Sequence, residues 1–157
     1  MISIRRAQPS DVATILGFIR QLAIYEKAEH EVVASAEQTH AALFGEHAHC
    51  EAMIAENMGT PIGFALYFFN YSTWLGRPGL YLEDLFVTPD SRGLGAGKAL
   101  LKSLAKVAVE RGCGRFEWSV LDWNTPAIDF YESLGAEPQS EWTIYRVTGD
   151  ALQALAK

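Results

Sequence analysis

The chain has 157 residues, 49% hydrophobic and 20% charged, so length and composition predict one soluble globular domain, residues 1–157, with its own core. Its formal net charge of −6 argues against a general nucleic-acid binder, which needs a basic face, and suits a small cationic substrate. No apolar run reaches the ~18 residues of a membrane span, so we expect no membrane partner. The two cysteines show neither metal-ligand spacing nor a disulfide framework, so we expect no metal and a cytoplasmic location. With the net charge, these features also predict no nucleic-acid partner.

The first seventy residues predict a strand, two helices and a hairpin. Ser10 or Asp11 can cap a first amphipathic helix, and Ser35 with Gln38 forms a capping box for a second. Alternation of apolar and polar residues indicates the first strand, and the second hairpin arm is nearly all apolar, as in a central strand. The predicted elements are a strand Ile2–Arg6, a helix to about Tyr25, a helix to about Phe44, and hairpin arms Glu51–Glu56 and Ile62–Tyr71.

Three side chains that can bind metals, those of His47, His49 and Cys50, lie close together after the second predicted helix. A structural zinc site needs further ligands at matching spacing, and the sequence offers no second pair. We therefore expect no metal site in this segment.

The apolar run Leu80–Val87 predicts a strand that is interrupted by two adjacent acids, Glu83 and Asp84. Two acids within a buried strand are costly unless they are paired or used. Because successive strand residues point to opposite faces, only one of them can face a ligand in a regular strand, and a β-bulge would change this.

A glycine-rich turn follows this strand and precedes a helix with apolar residues at helical spacing. Gly93, Gly95 and Gly97 alternate along the turn, and Arg92 and Lys98 flank them. Glycines allow the backbone to turn with positive φ angles and let a ligand approach closely, and the unpaired amides of a helix N-terminus attract phosphate. The turn therefore predicts a phosphate site; the alternative is a turn that only connects strand to helix.

Two common phosphate-binding motifs do not match this turn. A P-loop needs Ser or Thr where Ala99 stands and glycine where Arg92 stands, and the third glycine of a Rossmann fingerprint would fall on Lys98. The pattern that remains is R-x-x-G-x-G.

The last third of the chain predicts two strands and two helices. Thr125 can cap a short helix whose first residue is Pro126, and Gly135 closes it. With the preceding elements, the order βααβββαβαβ indicates a mixed α/β sandwich. The remaining predicted elements are a strand Arg115–Leu121, a last strand Trp142–Val147 and a frayed helix Asp150–Lys157.

The runs LYLEDLFV, RGLGAGKALL and WSVLDWNTPAIDFYESLGA, in this order, resemble the GCN5-related N-acetyltransferase (GNAT) family. More narrowly, they resemble its diamine (spermidine/spermine) and thialysine acetyltransferase branch. The resemblance implies an α/β fold with a central, mostly antiparallel sheet and helices on both faces. It further implies acetyl-CoA as cosubstrate, a diamine, polyamine or lysine-like amino acid as acceptor, and a homodimer.

The resemblance also implies roles for individual residues. Tyr131 is the candidate general acid, and Glu83 is the candidate that contacts the amine and acts through water as base. Backbone and side-chain contacts to acetyl-CoA are implied for Leu85, Phe86, Val87, Arg92, Gly93, Leu94, Gly95, Ala96, Gly97, Lys98, Asn124, Pro126, Ala127 and Tyr131. Contacts to the amine are implied for Tyr25, Glu26, Glu83, Asp84, Glu117, Trp118, Ser119 and Glu141, with Trp142 beside the last.

Several of these assignments have alternatives. Asp84 can serve as a structural hydrogen-bond acceptor, Asn124 as a helix cap, and Tyr25 with Glu26 as a solvated helix end. At the level of the whole protein, the alternatives are acetylation of a protein lysine or N-terminus, and a non-catalytic module that binds acyl-CoA.

Overall fold

The computed structural model describes residues 1–157, which form two compact units, Met1–Ser119 and Val120–Lys157. We describe each unit separately, and the prediction of a single domain stays a prediction. The first unit contains β1 (Ile2–Arg6), α1 (Val12–Tyr25), α2 (Ala36–Phe44), β2 (Glu51–Asn57), β3 (Thr60–Ser72), β4 (Arg77–Val87), α3 (Ala96–Glu110) and β5 (Arg115–Trp118). The second unit contains α4 (Thr125–Ser133) and α5 (Gly149–Leu155).

The first unit is built on one five-stranded sheet in the order β1-β2-β3-β4-β5. The first four strands are antiparallel neighbours, whereas β5 runs parallel to β4. Short turns join antiparallel neighbours, and the parallel step requires a crossover, which α3 supplies. The prediction of a mixed, mostly antiparallel sheet is confirmed.

Helices cover both faces of this sheet. Side chains on alternate strand positions pack against α1 and α2 on one face, while Leu100, Leu101 and Leu104 of α3 are buried against the other. The core on the α1 side contains Ile15, Phe18, Leu43, Ala52, Ile54, Phe64 and Phe86.

Strand β4 contains a β-bulge at Glu83. Leu66 of β3 is paired with Asp84 while the next residue, Tyr67, is paired with Leu82, so Glu83 is an extra residue in the ladder. The extra residue reverses the alternation of side chains that follow it. Leu82 therefore shares a face with Leu85, and Asp84 shares the opposite face with Phe86.

Pairing between β4 and β5 ends at the same point. Its register runs from Gly79 opposite Arg115 to Leu82 opposite Trp118, and β4 then continues alone to Val87. The backbone of 83–87 consequently keeps an edge that no strand of the sheet occupies.

The far end of α3 is tied to the sheet by an electrostatic network around Glu51. Arg111 donates two hydrogen bonds, of 2.7 and 2.8 Å, to the Glu51 carboxylate, which also accepts from Arg6 and from the Tyr67 hydroxyl. The guanidinium of Arg111 lies 4.6 Å from the ring centroid of Phe69. This network holds the helix whose N-terminus follows the glycine turn.

Several predicted elements differ from the structure. The segment 142–147, predicted as a last strand, forms no strand, and β5 ends at Trp118 rather than Leu121. A run rich in aromatic and β-branched residues does not by itself make a strand, because its backbone groups also need a partner strand. The fourth helix begins one residue early, with Asn124 at the N-cap position and Thr125 as its first residue.

None of the helices combines the length and apolar character needed to cross a bilayer.

Candidate active site

The glycine turn has the backbone shape that the sequence predicts. Gly93 and Gly95 have φ angles of 88° and 85°, in the left-handed region that favours glycine, and Gly95 is the N-cap of α3. A Cβ atom added at either glycine would meet nothing within 4 Å, so both glycines are required by the backbone angle and not by close packing.

The amides at the start of α3 fit a phosphate group. The first backbone bond across the helix start runs from the Ala99 amide to the Gly95 carbonyl at 3.0 Å, so the amides of residues 96–98 precede the helix ladder. The positive end of the helix dipole and the exposed side chain of Lys98 favour an anion at this place. The unpaired β4 edge at 83–87 leads to the same turn and suits the amide-containing arm of acetyl-CoA.

Arg92 has a defined position beside this turn. Its Nε donates to the Val87 carbonyl oxygen at 3.3 Å, and its Cζ lies 5.4 Å from the centroid of the Tyr25 ring. The guanidinium thus connects the end of β4 to the end of α1.

Three carboxylates of the predicted amine site come together. Asp84 lies on the sheet face that α1 covers, Glu83 is the bulge residue next to it, and Glu26 directly follows α1. Burial, followed by the charges of Glu83 and then Glu26, raises the pKa of Asp84 to about 6. Burial also raises the pKa of Glu26. Such a concentration of negative charge is stabilised by a bound cation.

Cys50 lies beside the same carboxylates. Burial and the charges of Asp84, Glu51 and Glu83 raise the pKa of its thiol. A protonated thiol is a poor nucleophile, so this environment does not favour a covalent acetyl-cysteine.

The predicted amine contacts on β5 and at Ser119, directly after it, have partners within the first unit. Glu117 forms an ion pair with Arg115 at 2.9 Å, and the Ser119 hydroxyl lies 2.7 Å from the Tyr81 hydroxyl. The ring of Trp118 packs edge-on against Phe116, with centroids 4.9 Å apart. Because Arg115 already balances the charge of Glu117, the three carboxylates around Asp84 are better placed to attract a cation.

The second unit contains the remaining predicted residues. Asn124 is buried at the N-cap of α4, but its side chain makes no capping hydrogen bond, so the cap alternative is not observed. Pro126, Ala127 and Tyr131 lie on α4, and the ring of Tyr131 is 5.7 Å from that of Phe130. Glu141 is exposed in the irregular segment before α5.

Sequence reasoning did not find two features of the site. The contact between Arg92 and Tyr25 has no signal in the sequence, because the residues are far apart along the chain. The bulge had an indirect signal, the adjacent pair Glu83-Asp84 within an apolar strand. The roles assigned to all these residues stay predictions.

Known proteins similar to this chain agree with the geometry. The sequence profile described as the acetyltransferase (GNAT) family matches residues 16–136. The thialysine N-epsilon-acetyltransferase of Sus scrofa is 41% identical over 99% of this chain and 97% of its own length. An L-ornithine N5-acetyltransferase of Arabidopsis thaliana is 34% identical, over 98% of this chain and 87% of its own. Among solved structures, an integron cassette protein of V. cholerae superposes with a TM-score of 0.82 and 30% identity, over 99% of this chain and 98% of its own.

Proposed function

Because this chain belongs to the GNAT family and is an acetyl-CoA-dependent N-acetyltransferase, we propose that its acceptor is a primary amine on a small polycation or basic amino acid. The candidate acceptors are diamines, polyamines, thialysine, ornithine and lysine. The observation that carries the proposal is the cluster of Glu26, Glu83 and Asp84 beside the unpaired edge of β4.

The proposed reaction needs three proton transfers at the reacting atoms: the nitrogen loses one proton before the attack and one after it, and the sulfur gains one. Acetyl-CoA supplies the acetyl group as a thioester. The acceptor arrives as an ammonium ion, which Glu83 holds and deprotonates through water. The neutral nitrogen then bonds to the acetyl carbon as the carbon–sulfur bond breaks, and Tyr131 donates its hydroxyl proton to the departing sulfur. The nitrogen still carries one proton more than an amide holds and releases it to solvent, and solvent returns a proton to Tyr131. The raised pKa of Cys50 supports this direct attack without an acetyl-enzyme.

The carboxylates also explain a preference for small cations. Three acids close together stabilise an ammonium group, and a second positive charge on the acceptor would relieve the repulsion that remains. A monoamine of the same length carries only one positive charge and lacks the second. We therefore expect acceptors with two cationic groups to have a lower KM than monoamines.

A panel of amines tests the acceptor class directly. We expect release of CoA thiol with spermidine, putrescine, thialysine, ornithine or lysine, and mass spectrometry should find a product 42 Da heavier. Butylamine serves as the singly charged control for putrescine. Acetylation confined to a lysine-containing peptide or a protein N-terminus would contradict the proposal, and binding of acetyl-CoA without any acetylated product would favour the non-catalytic alternative.

The glycine turn provides a prediction about donor binding. Gly95→Ala forces a side chain into a φ angle of 85°, at a cost of about 1–2 kcal/mol. The variant turn can avoid this strain by relaxing when no ligand is bound, whereas CoA binding requires the strained shape. The Kd for CoA, measured by calorimetry, should therefore rise about five- to thirtyfold.

Gly59→Ala is a matched control for this substitution. Gly59 has a φ of 84° in the turn between β2 and β3, and a Cβ there would also meet nothing within 4 Å. Both substitutions place a side chain at the same left-handed φ, but only Gly95→Ala should bind CoA more weakly, because Gly59 lies outside the proposed donor site. Equal CoA affinity in the two variants would contradict a role for the turn in donor binding.

The proposal includes a homodimer in the cytoplasm. The homodimer follows from the resemblance to the diamine and thialysine branch, and the location follows from the two cysteines, which form no disulfide. Light scattering on the purified protein should give a mass of twice 17.3 kDa.

A further inference from the structure

One contact in the first unit joins a predicted amine residue to the predicted phosphate turn. The ring of Tyr25, the last residue of α1, lies under the guanidinium of Arg92, with 5.4 Å between Cζ and the ring centroid. This distance is within the range of a cation–π interaction. On another side, the Arg92 Nε donates to the Val87 carbonyl oxygen at 3.3 Å. Two separate elements therefore hold one exposed cation.

The end of α1 also favours this position electrostatically. A helix C-terminus carries partial negative charge, and the last turn of α1 contains no basic residue. The guanidinium of Arg92 supplies a positive charge beside that end. Arg92 is thereby held between the end of β4 and the end of α1, although it remains exposed to solvent.

From this contact we infer that Tyr25 is a positioning residue for Arg92 and so assists donor binding without touching the donor. An exposed arginine loses rotamer freedom when it binds an anion, and a side chain that is already held loses less. The inference rests on the proposed function, because it takes the anion to be the pyrophosphate of CoA. It assigns Tyr25 a role different from the amine contact that the resemblance implies.

A double-mutant cycle on the full chain tests the inference, with CoA as the probe and calorimetry as the measurement. Tyr25→Leu removes the ring and should raise the Kd for CoA about two- to fivefold, the size expected for an exposed cation–π contact. Tyr25→Phe keeps the ring and should leave the Kd unchanged. In an Arg92→Gln background, Tyr25→Leu should have no further effect, because the cation is already absent.

The outcomes separate the inference from the proposed function. If wild-type protein fails to bind CoA, the proposed function is wrong, and this inference with it. If wild-type protein binds CoA but Tyr25→Leu binds it equally well and only raises the KM for the amine, Tyr25 is an acceptor contact and the inference alone is overturned. Tyr25→Met is a second ringless variant with the same expected Kd, should the leucine variant fold poorly.

Discussion

Replacing Tyr131 with phenylalanine should lower kcat roughly 10²- to 10⁴-fold, the usual contribution of a positioned acid or base. The substitution removes only the hydroxyl oxygen from a half-buried side chain on α4, so the helix and its packing against Phe130 should persist. Because the lost proton donor acts on the departing thiolate, the defect belongs to the transition state. The Kd for CoA should therefore change less than twofold.

Two measurements distinguish a chemical role of Tyr131 from a packing role. The defect should be smaller with a donor whose leaving thiol has a lower pKa, because that thiolate needs less protonation. Tyr145→Phe is the matched control, since Tyr145 is 90% exposed in the same unit and should keep wild-type kcat. A Tyr131→Phe enzyme with unchanged turnover would remove Tyr131 from the mechanism.

The second large effect concerns the pH dependence of amine use. Asp84 has a pKa of about 6, so kcat/KM for the amine should rise with pH up to about 6 as the free enzyme gains this negative charge. Asp84→Asn should lose this inflection and should raise the KM for a doubly charged amine at neutral pH. Glu46→Gln, which removes an exposed carboxylate elsewhere, should change neither.

Glu83→Gln should shift the pH profile of kcat/KM for the amine in a direction that the structure predicts. The charge of Glu83 is one cause of the raised pKa of Asp84, so its removal should move the inflection to lower pH while raising the KM for the amine. Glu26→Gln should move it in the same direction by a smaller amount, because its charge is the weaker cause. An unmoved inflection in both variants would show that the three carboxylates do not interact.

The raised pKa of Asp84 also makes the free energy of unfolding depend on pH. The direction is opposite to that of an ion-paired acid, whose pKa is lowered on folding. Folding raises the pKa of Asp84 from 3.8 to about 6, so the folded protein favours the protonated carboxyl. The contribution of Asp84 to the free energy of unfolding is therefore fully present below pH 4 and is lost as pH rises through 6. The loss amounts to at most about 3 kcal/mol for a shift of this size. Denaturant unfolding should show a decline between these pH values that is reduced in Asp84→Asn.

Most elements of the fold could be read from local patterns. Helical spacing and the capping box of Ser35 with Gln38 predicted α1 and α2, and the structure contains both bonds of that capping box. The glycines of the turn predicted left-handed backbone, which Gly93 and Gly95 have. These features depend on residues a few positions apart, and the sequence displays them directly.

Pairing across the sheet could not be read in this way. The sequence predicted a strand at Trp142–Val147, yet no strand of the chain pairs with it. In β4 a regular alternation of side chains would place only one of Glu83 and Asp84 toward a ligand, whereas the bulge against Leu66 changes that register. Register depends on two strands at once, so neither strand's sequence determines it.

By itself, therefore, the sequence determined the family, the glycine turn and the identity of the acids. The tertiary structure decided that Glu26 would lie close enough to Asp84 to raise its pKa, and that Tyr25 would hold Arg92. The physical reason is that charge interactions and ring contacts depend on distance through space, and folding brings the end of α1 to strand β4.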